Sequence, residues 1–155
     1  MRRLFLLAAA FALFLTTETK AQTYQNALGV RIGDYNGINF KTFTRSNNAW
    51  DLNLSFRSRN DIKRFRFTAL YQIHNPIAEA PGLQWYYGGG GSIGSVKFRD
   101  DESDIFLSAD GVLGLDYKFN GAPINLALDW RPRVELTPDT DITAGDIGLA
   151  IRFTF

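Results

Sequence analysis

His74 is the only histidine in the chain, so any imidazole-based catalysis or His-ligated metal site has to use it. A general base needs a nucleophile within hydrogen-bond reach, and no Gly-x-Ser-x-Gly elbow stands near His74. A hydrogen-bonded structural role is the expectation. Gly89-x-Gly91-x-x-Gly94 matches the spacing of the dinucleotide fingerprint, where glycines let the backbone approach a pyrophosphate at a helix N-terminus. Ser95-Val96-Lys97-Phe98 opens no helix, so these glycines fit sharp curvature and close aromatic packing in a closing sheet instead. The absence of cysteine excludes disulfide scaffolds, thiolate metal sites and cysteine nucleophiles. No catalytic residue, cofactor or metal is expected.

Charge offers other chemistry. Arg31, Arg64, Arg66, Arg131 and Arg152 share polar faces with Asp51, Asp110, Asp116, Asp129 and Asp146, and opposite charges brought together there would offset each other's desolvation. Arg57, Arg59, Lys63 and Arg64 cluster around one hairpin, suited to lipopolysaccharide phosphates or merely to a solvated rim. Asp100, Asp101, Glu102 and Asp104 form an acidic run that offers oxygen ligands to divalent cations.

The elements that must position these groups are strands. Leu28, Val30 and Ile32 alternate with Gly29, Arg31 and Gly33, and Trp50, Leu52, Leu54 and Phe56 alternate with Asp51, Asn53, Ser55 and Arg57. The same period of two runs through Phe65 to Ile73, Ile124 to Trp130 and Ile147 to Phe155, with Leu70 alone out of place on its polar face. Eight strands are expected, near 26–34, 37–45, 49–58, 63–74, 83–95, 105–118, 123–131 and 145–155. Ten are possible if the connection 132–144 hides a short hairpin. The fold class is all-β, an up-and-down antiparallel barrel closed on itself.

Alternation alone does not say which face is inside. A soluble periplasmic or secreted barrel would turn Leu52, Leu54, Phe65 and Phe67 inward around an apolar ligand. A transmembrane barrel would turn them outward and fill a narrow lumen with small and charged residues such as Gly29, Gly88, Gly114, Arg66 and Asp110. Strand direction favours the second. It places Trp50, Tyr71, Trp85, Tyr87, Tyr117, Phe119, Phe153 and Phe155 near one set of strand ends and Phe56, Phe65 and Trp130 near the other, as two interfacial girdles would be.

Bulk properties agree. With 155 residues, 45% hydrophobic and 21% charged, the chain is one domain, and its net charge of +1 lacks the basicity of a nucleic-acid binder. Arg2 and Arg3 precede an apolar run from Leu4 to Leu15 and then Thr19-Lys20-Ala21, which reads as a signal peptide over 1–21, with the barrel over 22–155. Its removal takes three of 17 basic and one of 16 acidic residues, leaving a net of −1.

The last strand, with Ile147, Leu149, Ile151, Phe153 and Phe155 on its apolar face, resembles the C-terminal assembly signal of bacterial outer-membrane barrels. The mature chain is similar to small eight-stranded barrels of the OmpA/OmpX transmembrane type. Gly37-Ile-Asn-Phe-Lys-Thr-Phe43, His74-Asn-Pro-Ile-Ala-Glu-Ala-Pro-Gly-Leu-Gln-Trp-Tyr86 and Ala122-Pro-Ile-Asn-Leu-Ala-Leu-Asp-Trp-Arg-Pro132 further resemble outer-membrane barrels of Bacteroidota. The resemblance implies general secretory export, insertion by the barrel-assembly machinery and an outer-membrane location among lipid and lipopolysaccharide. It carries no catalytic residues. A monomeric, non-enzymatic envelope protein is the expectation, with the soluble ligand barrel and an outer-membrane lipid-modifying enzyme as the other candidates.

Overall fold

A strand with opposite faces is stable only where its polar and apolar sides meet different surroundings, and a closed sheet supplies both without leaving an edge. In a computed structural model, which describes residues 24–100 and 102–155, the chain forms ten antiparallel strands. They are β1 (Asn26–Ile32), β2 (Asn36–Phe43), β3 (Asn48–Arg59), β4 (Ile62–Pro76), β5 (Leu83–Lys97), β6 (Ser103–Lys118), β7 (Ile124–Trp130), β8 (Arg133–Thr137), β9 (Asp141–Thr143) and β10 (Ile147–Thr154). The expected signal peptide over 1–21 and Asp101 lie outside the described residues.

Consecutive strands from β1 to β6 pair in order, and β10 pairs with β1 through partners such as Val30 and Ile151, which closes the ring. The remaining strands share two positions. β6 pairs with β7 over Leu113 to Lys118 and with β8 over Leu107 to Asp110, so β7 and β8 are two segments of one stave. They are separated at Arg131-Pro132, where the proline has no N–H and its carbonyl accepts from Gly111 N at 2.8 Å. β9 pairs with β8 and continues the line of β10, the gap between them bridged by the Arg131 N–H donating to the Asp146 carbonyl at 2.8 Å. The connection 132–144 therefore does contain a hairpin, but it lengthens two staves rather than widening the ring. The barrel has eight staves.

The connections at residues 33–35, 60–61, 98–102 and around β8–β9 define one end, here the loop end. Those at 44–47, 77–82 and 119–123 define the turn end. The tightest, Asn60-Asp61, has φ of 49° and 64°, the two left-handed central residues of a type I′ hairpin, whose twist matches that of the flanking strands.

The faces sort without exception at the charged positions of the staves' middle. Arg31, Asp51, Arg66, Asp116, Asp129 and Arg152 are buried, whereas Leu28, Val30, Phe67, Leu115, Leu149 and Ile151 are exposed. Phe65 and Phe67 lie on the exterior, and so do the half-buried Leu52 and Leu54 that alternate with buried Asp51, Asn53 and Ser55. Among the described residues, an apolar cluster inside comprises Leu70, Tyr86, Val112, Ala127 and Ala150. Leu70, which breaks the alternation by sequence, is thus buried against Tyr86 rather than exposed. The glycine run also has a packing reason: a β-carbon at Gly88 or Gly90 would stand about 2 Å from the Tyr71 or Ala69 carbonyl oxygen of β4.

Candidate functional site

Side chains at every second position of eight closed strands project into one narrow space, so the charges there must meet. They form an alternating chain of ion pairs. Near the turn end, Lys41 of β2 pairs with Asp116 of β6 at 3.2 Å, and Asp116 also lies 3.6 Å from Arg152 of β10. Arg152 pairs with Asp51 of β3 at 3.3 Å, and Asp51 with Arg131 at 3.4 Å. Arg131 reaches Asp129 of β7 at 2.8 Å, Asp129 meets Arg31 of β1 at 2.8 Å, and Arg31 meets Asp146 at 3.1 Å. Asp146 then pairs with Arg133 of β8 at 3.3 Å, Arg133 with Asp34 at 3.2 Å, and Asp34 with Arg57 of β3 at the loop end at 2.8 Å. Opposite charges alternate from Lys41 to Arg57 with no like-charged step.

Neutral groups complete the valences that ion pairing leaves open, as burial demands. Asn39 Nδ2 donates to Asp51 at 2.8 Å, Asn125 Nδ2 donates to Asp116 at 2.6 Å, and the Tyr86 hydroxyl donates to Asp129 at 2.9 Å. Arg152 donates to the amide oxygens of Asn39 and Asn125 as well.

Not every acidic or basic residue singled out by sequence joins this chain. Asp110 is buried but accepts from the hydroxyls of Ser92 and Ser108. Arg66 pairs with Glu135 at 3.4 Å, off the main chain. Arg64 stands half-exposed at the rim, 3.8 Å from Glu135 and donating to the Tyr35 hydroxyl at 3.4 Å. Sequence reasoning missed Lys41 and Arg133, which are fully part of the interior, and Asp34 and Glu135 at its mouth. Lys41 alternates correctly with Phe40 and Thr42, so its parity signalled an inward position. Arg133 follows the break at Pro132, where parity is lost.

His74 sits at the turn end, buried and stacked on Tyr86 with ring centroids 4.8 Å apart. Its Nδ1 lies 3.1 Å from Gln84 Oε1 and its Nε2 lies 3.4 Å from Lys41 Nζ. Nε2 also lies 3.3 Å from Gln72 Oε1, so the two ring nitrogens stand among one donor, Lys41, and two amide oxygens that accept. No hydroxyl is among these partners.

No family model matches this chain. No curated protein matches it either. Among solved structures that match is that of Neisserial surface protein A, with a TM-score of 0.59 and 12% identity over 84% of this chain and 93% of that one. At that identity the likeness shows the fold. Both chains are therefore small all-β barrels of the same architecture.

At the loop end, Tyr35 in the β1–β2 turn folds inward and is buried. Three guanidinium groups surround its ring, Arg66 at 4.4 Å, Arg133 at 5.0 Å and Arg57 at 5.4 Å from the centroid. Above it, Arg57, Arg59 and Arg64 line an open cleft of about 230 Å³ with Asn60 and Ile62, while Lys63 lies on the outward face of β4. Asp100, Glu102 and Asp104 are exposed, and among the described residues no group of three His, Cys, Asp or Glu converges as metal ligands.

The outer aromatic residues pair along the strand ends. Trp50 with Tyr71 at 5.2 Å, Trp85 with Tyr87 at 5.5 Å and Tyr117 with Phe119 at 4.9 Å lie towards the turn end, and Phe56 with Phe65 at 5.3 Å towards the loop end. Trp130 closes β7, but its stave continues through β8, so it lies below the tip of that stave rather than at it. Its indole N–H donates to the Ala144 carbonyl at 2.6 Å.

Proposed function

We propose that the protein is an integral outer-membrane β-barrel with a structural or interaction role at the cell envelope, without enzymatic activity, whose lumen is plugged by its own charged side chains. The observation that carries this reading is the inversion of the two surfaces: an apolar exterior around an interior of ion pairs. In water the exterior would be costly, and in lipid a closed ladder leaves no backbone group unpaired. An eight-stranded ring is just wide enough for side chains to fill, and the ion pairs that cross it support the plug. The soluble alternative needs an apolar cavity, whereas the residues it would use, Leu52, Leu54, Phe65 and Phe67, face outward.

In this reading the turn end is periplasmic, the loop end is external, and the chain reaches the outer membrane through the general secretory pathway as a monomer. Its nearest kin are expected among the outer-membrane barrels of Bacteroidota. Ile147, Leu149, Ile151, Phe153 and Phe155 form an outward apolar row that the barrel-assembly machinery would meet. Arg59 and Lys63, exposed beside the arginine-lined cleft, are the groups best placed to contact lipopolysaccharide phosphates, since Arg57 is engaged with Asp34 and Arg64 with Tyr35 and Glu135.

Electrophoretic mobility of the mature protein from isolated outer membranes, with and without boiling in SDS, tests the placement. A heat-modifiable band confined to that fraction is expected, and a soluble periplasmic protein would overturn it. Reversal of Arg59 and Lys63 to Glu should reduce lipopolysaccharide co-purification; unchanged co-purification would remove that contact from the reading.

A further inference from the structure

The loop-end half of the lumen contains a cavity of about 20 Å³, room for one water-sized particle, whose walls include Arg31, Arg66, Arg131, Arg133, Asp110 and Asp146. Two of these lining residues carry unused donors. Arg66 Nε and Arg133 Nε have no hydrogen-bond partner, although both side chains are only 4% exposed. Both Nη groups of Arg133 are engaged, with Asp146 and Asp34 at 3.3 and 3.2 Å, and Arg66 Nη2 donates to Glu135 at 3.4 Å. Both guanidinium planes are further held against the Tyr35 ring. Unpartnered buried N–H groups carry a desolvation cost unless something occupies the space beside them.

Charge says what that occupant is. Among the described residues, six cations are buried, Arg31, Lys41, Arg66, Arg131, Arg133 and Arg152, against five carboxylates, Asp51, Asp110, Asp116, Asp129 and Asp146. The rim adds Arg57 and Arg64 on one side and Asp34 and Glu135 on the other, which leaves the excess at one positive charge. Asp110, on the same wall, is already counted among the five carboxylates and takes its hydrogen bonds from the Ser92 and Ser108 hydroxyls. A water would accept from the two Nε–H groups yet leave a buried charge uncompensated, and phosphate or a carboxylate is too large for the space.

We propose that this cavity is a site for one small monovalent anion of halide size, held by the Nε–H groups of Arg66 and Arg133 and neutralising the interior. The anion would act as a structural counter-ion lodged behind Tyr35.

The test uses the refolded full mature barrel. Crystals grown with sodium bromide should give an anomalous peak in the cavity, and the unfolding midpoint should be ~3 °C higher in sodium bromide than in sodium gluconate of equal ionic strength. Arg66→Gln should abolish both. Should that variant fail to fold, Asp110→Asn supplies the second arm: removing a like charge from the wall should enlarge the bromide-dependent shift. A water without anomalous signal, bromide confined to surface lysines and arginines, equal midpoints in the two salts, or an Asp110→Asn variant with no larger shift would each overturn the proposal.

Discussion

Gly148 of β10 lies beneath the guanidinium of Arg31, so close that a β-carbon at position 148 would stand 2.3 Å from Arg31 Cζ. The register explains why. Ala150 of β10 pairs with Arg31 on one side and Gly148 with Asp129 on the other, so Arg31 must cross β10 to reach its partner two staves away. Only a residue without a side chain leaves that path open. Gly148→Val should displace Arg31 from both Asp129 and Asp146 and cost about 3–5 kcal/mol, the penalty for breaking a buried pair. Urea unfolding followed by the heat-modifiable band would measure it, with Ile147→Val on the outer face within about 1.5 kcal/mol of the parent.

Asp51 joins the two halves of the ion-pair chain, since it contacts both Arg152 and Arg131. Asp51→Asn should cost about 3–5 kcal/mol in the same assay, because two buried guanidinium groups then lose one carboxylate. Added salt should not mask the loss, as buried pairs are screened little. Arg99→Gln, which removes an exposed contact of 3.7 Å to Asp61, should change stability by no more than about 1 kcal/mol.

Leu149 is an exposed leucine whose cross-strand partners on the outer face are Leu128 and Ile32. If this face meets hydrocarbon, Leu149→Arg should destabilise the barrel in bilayers by about 2–4 kcal/mol. Ile142→Arg, on the more exposed β9 at the loop end, should cost about 0–1 kcal/mol. Similar small effects at both positions would contradict lipid contact at Leu149.

Tyr35 covers the loop-end cavity but is not the only obstruction, because the chain from Lys41 through Asp116, Arg152 and Asp51 fills the opposite half. Planar-bilayer recordings should therefore show no large, steady conductance for the parent, and Tyr35→Ala should not create one. Replacing Asp51 and Arg152 together by Ala should open measurable current if the variant folds. A large conductance in the parent would refute the plug.

Much of the fold is legible in the amino-acid sequence. The period of two, the turn residues and the sorting of aromatic side chains by strand direction placed the first six staves within a few residues, located the last two without their β8 and β9 extensions, and separated Arg31, Asp51 and Arg152 from Leu28, Leu52 and Ile151. Those signals are local: the parity of a strand residue fixes its face whatever the strand pairs with. Two places departed from the pattern: Leu70, which kept its inward parity but is apolar, and the residues after Pro132, where parity was lost. At the first, a buried apolar patch around Tyr86 replaced polar packing. At the second, the break between β7 and β8 reset the alternation, and only the pairing of β6 with both showed one stave.

The sequence by itself determined which side chains share a face, because that follows from alternation along each strand, and the sorting of aromatic residues by strand direction favoured the polar face as the inner one. Which of them meet was decided by the tertiary structure. Arg31 and Asp129 are 98 residues apart and Arg152 and Asp51 are 101 apart, and their contact depends on ring closure, stagger between staves and a bare glycine in the path. The same closure brings Arg66 and Arg133 to one cavity behind Tyr35. Opposite charges at matching parity could have combined in many ways. The geometry of a closed eight-stave barrel selects one, because each guanidinium reaches only the staves that curvature carries into its range.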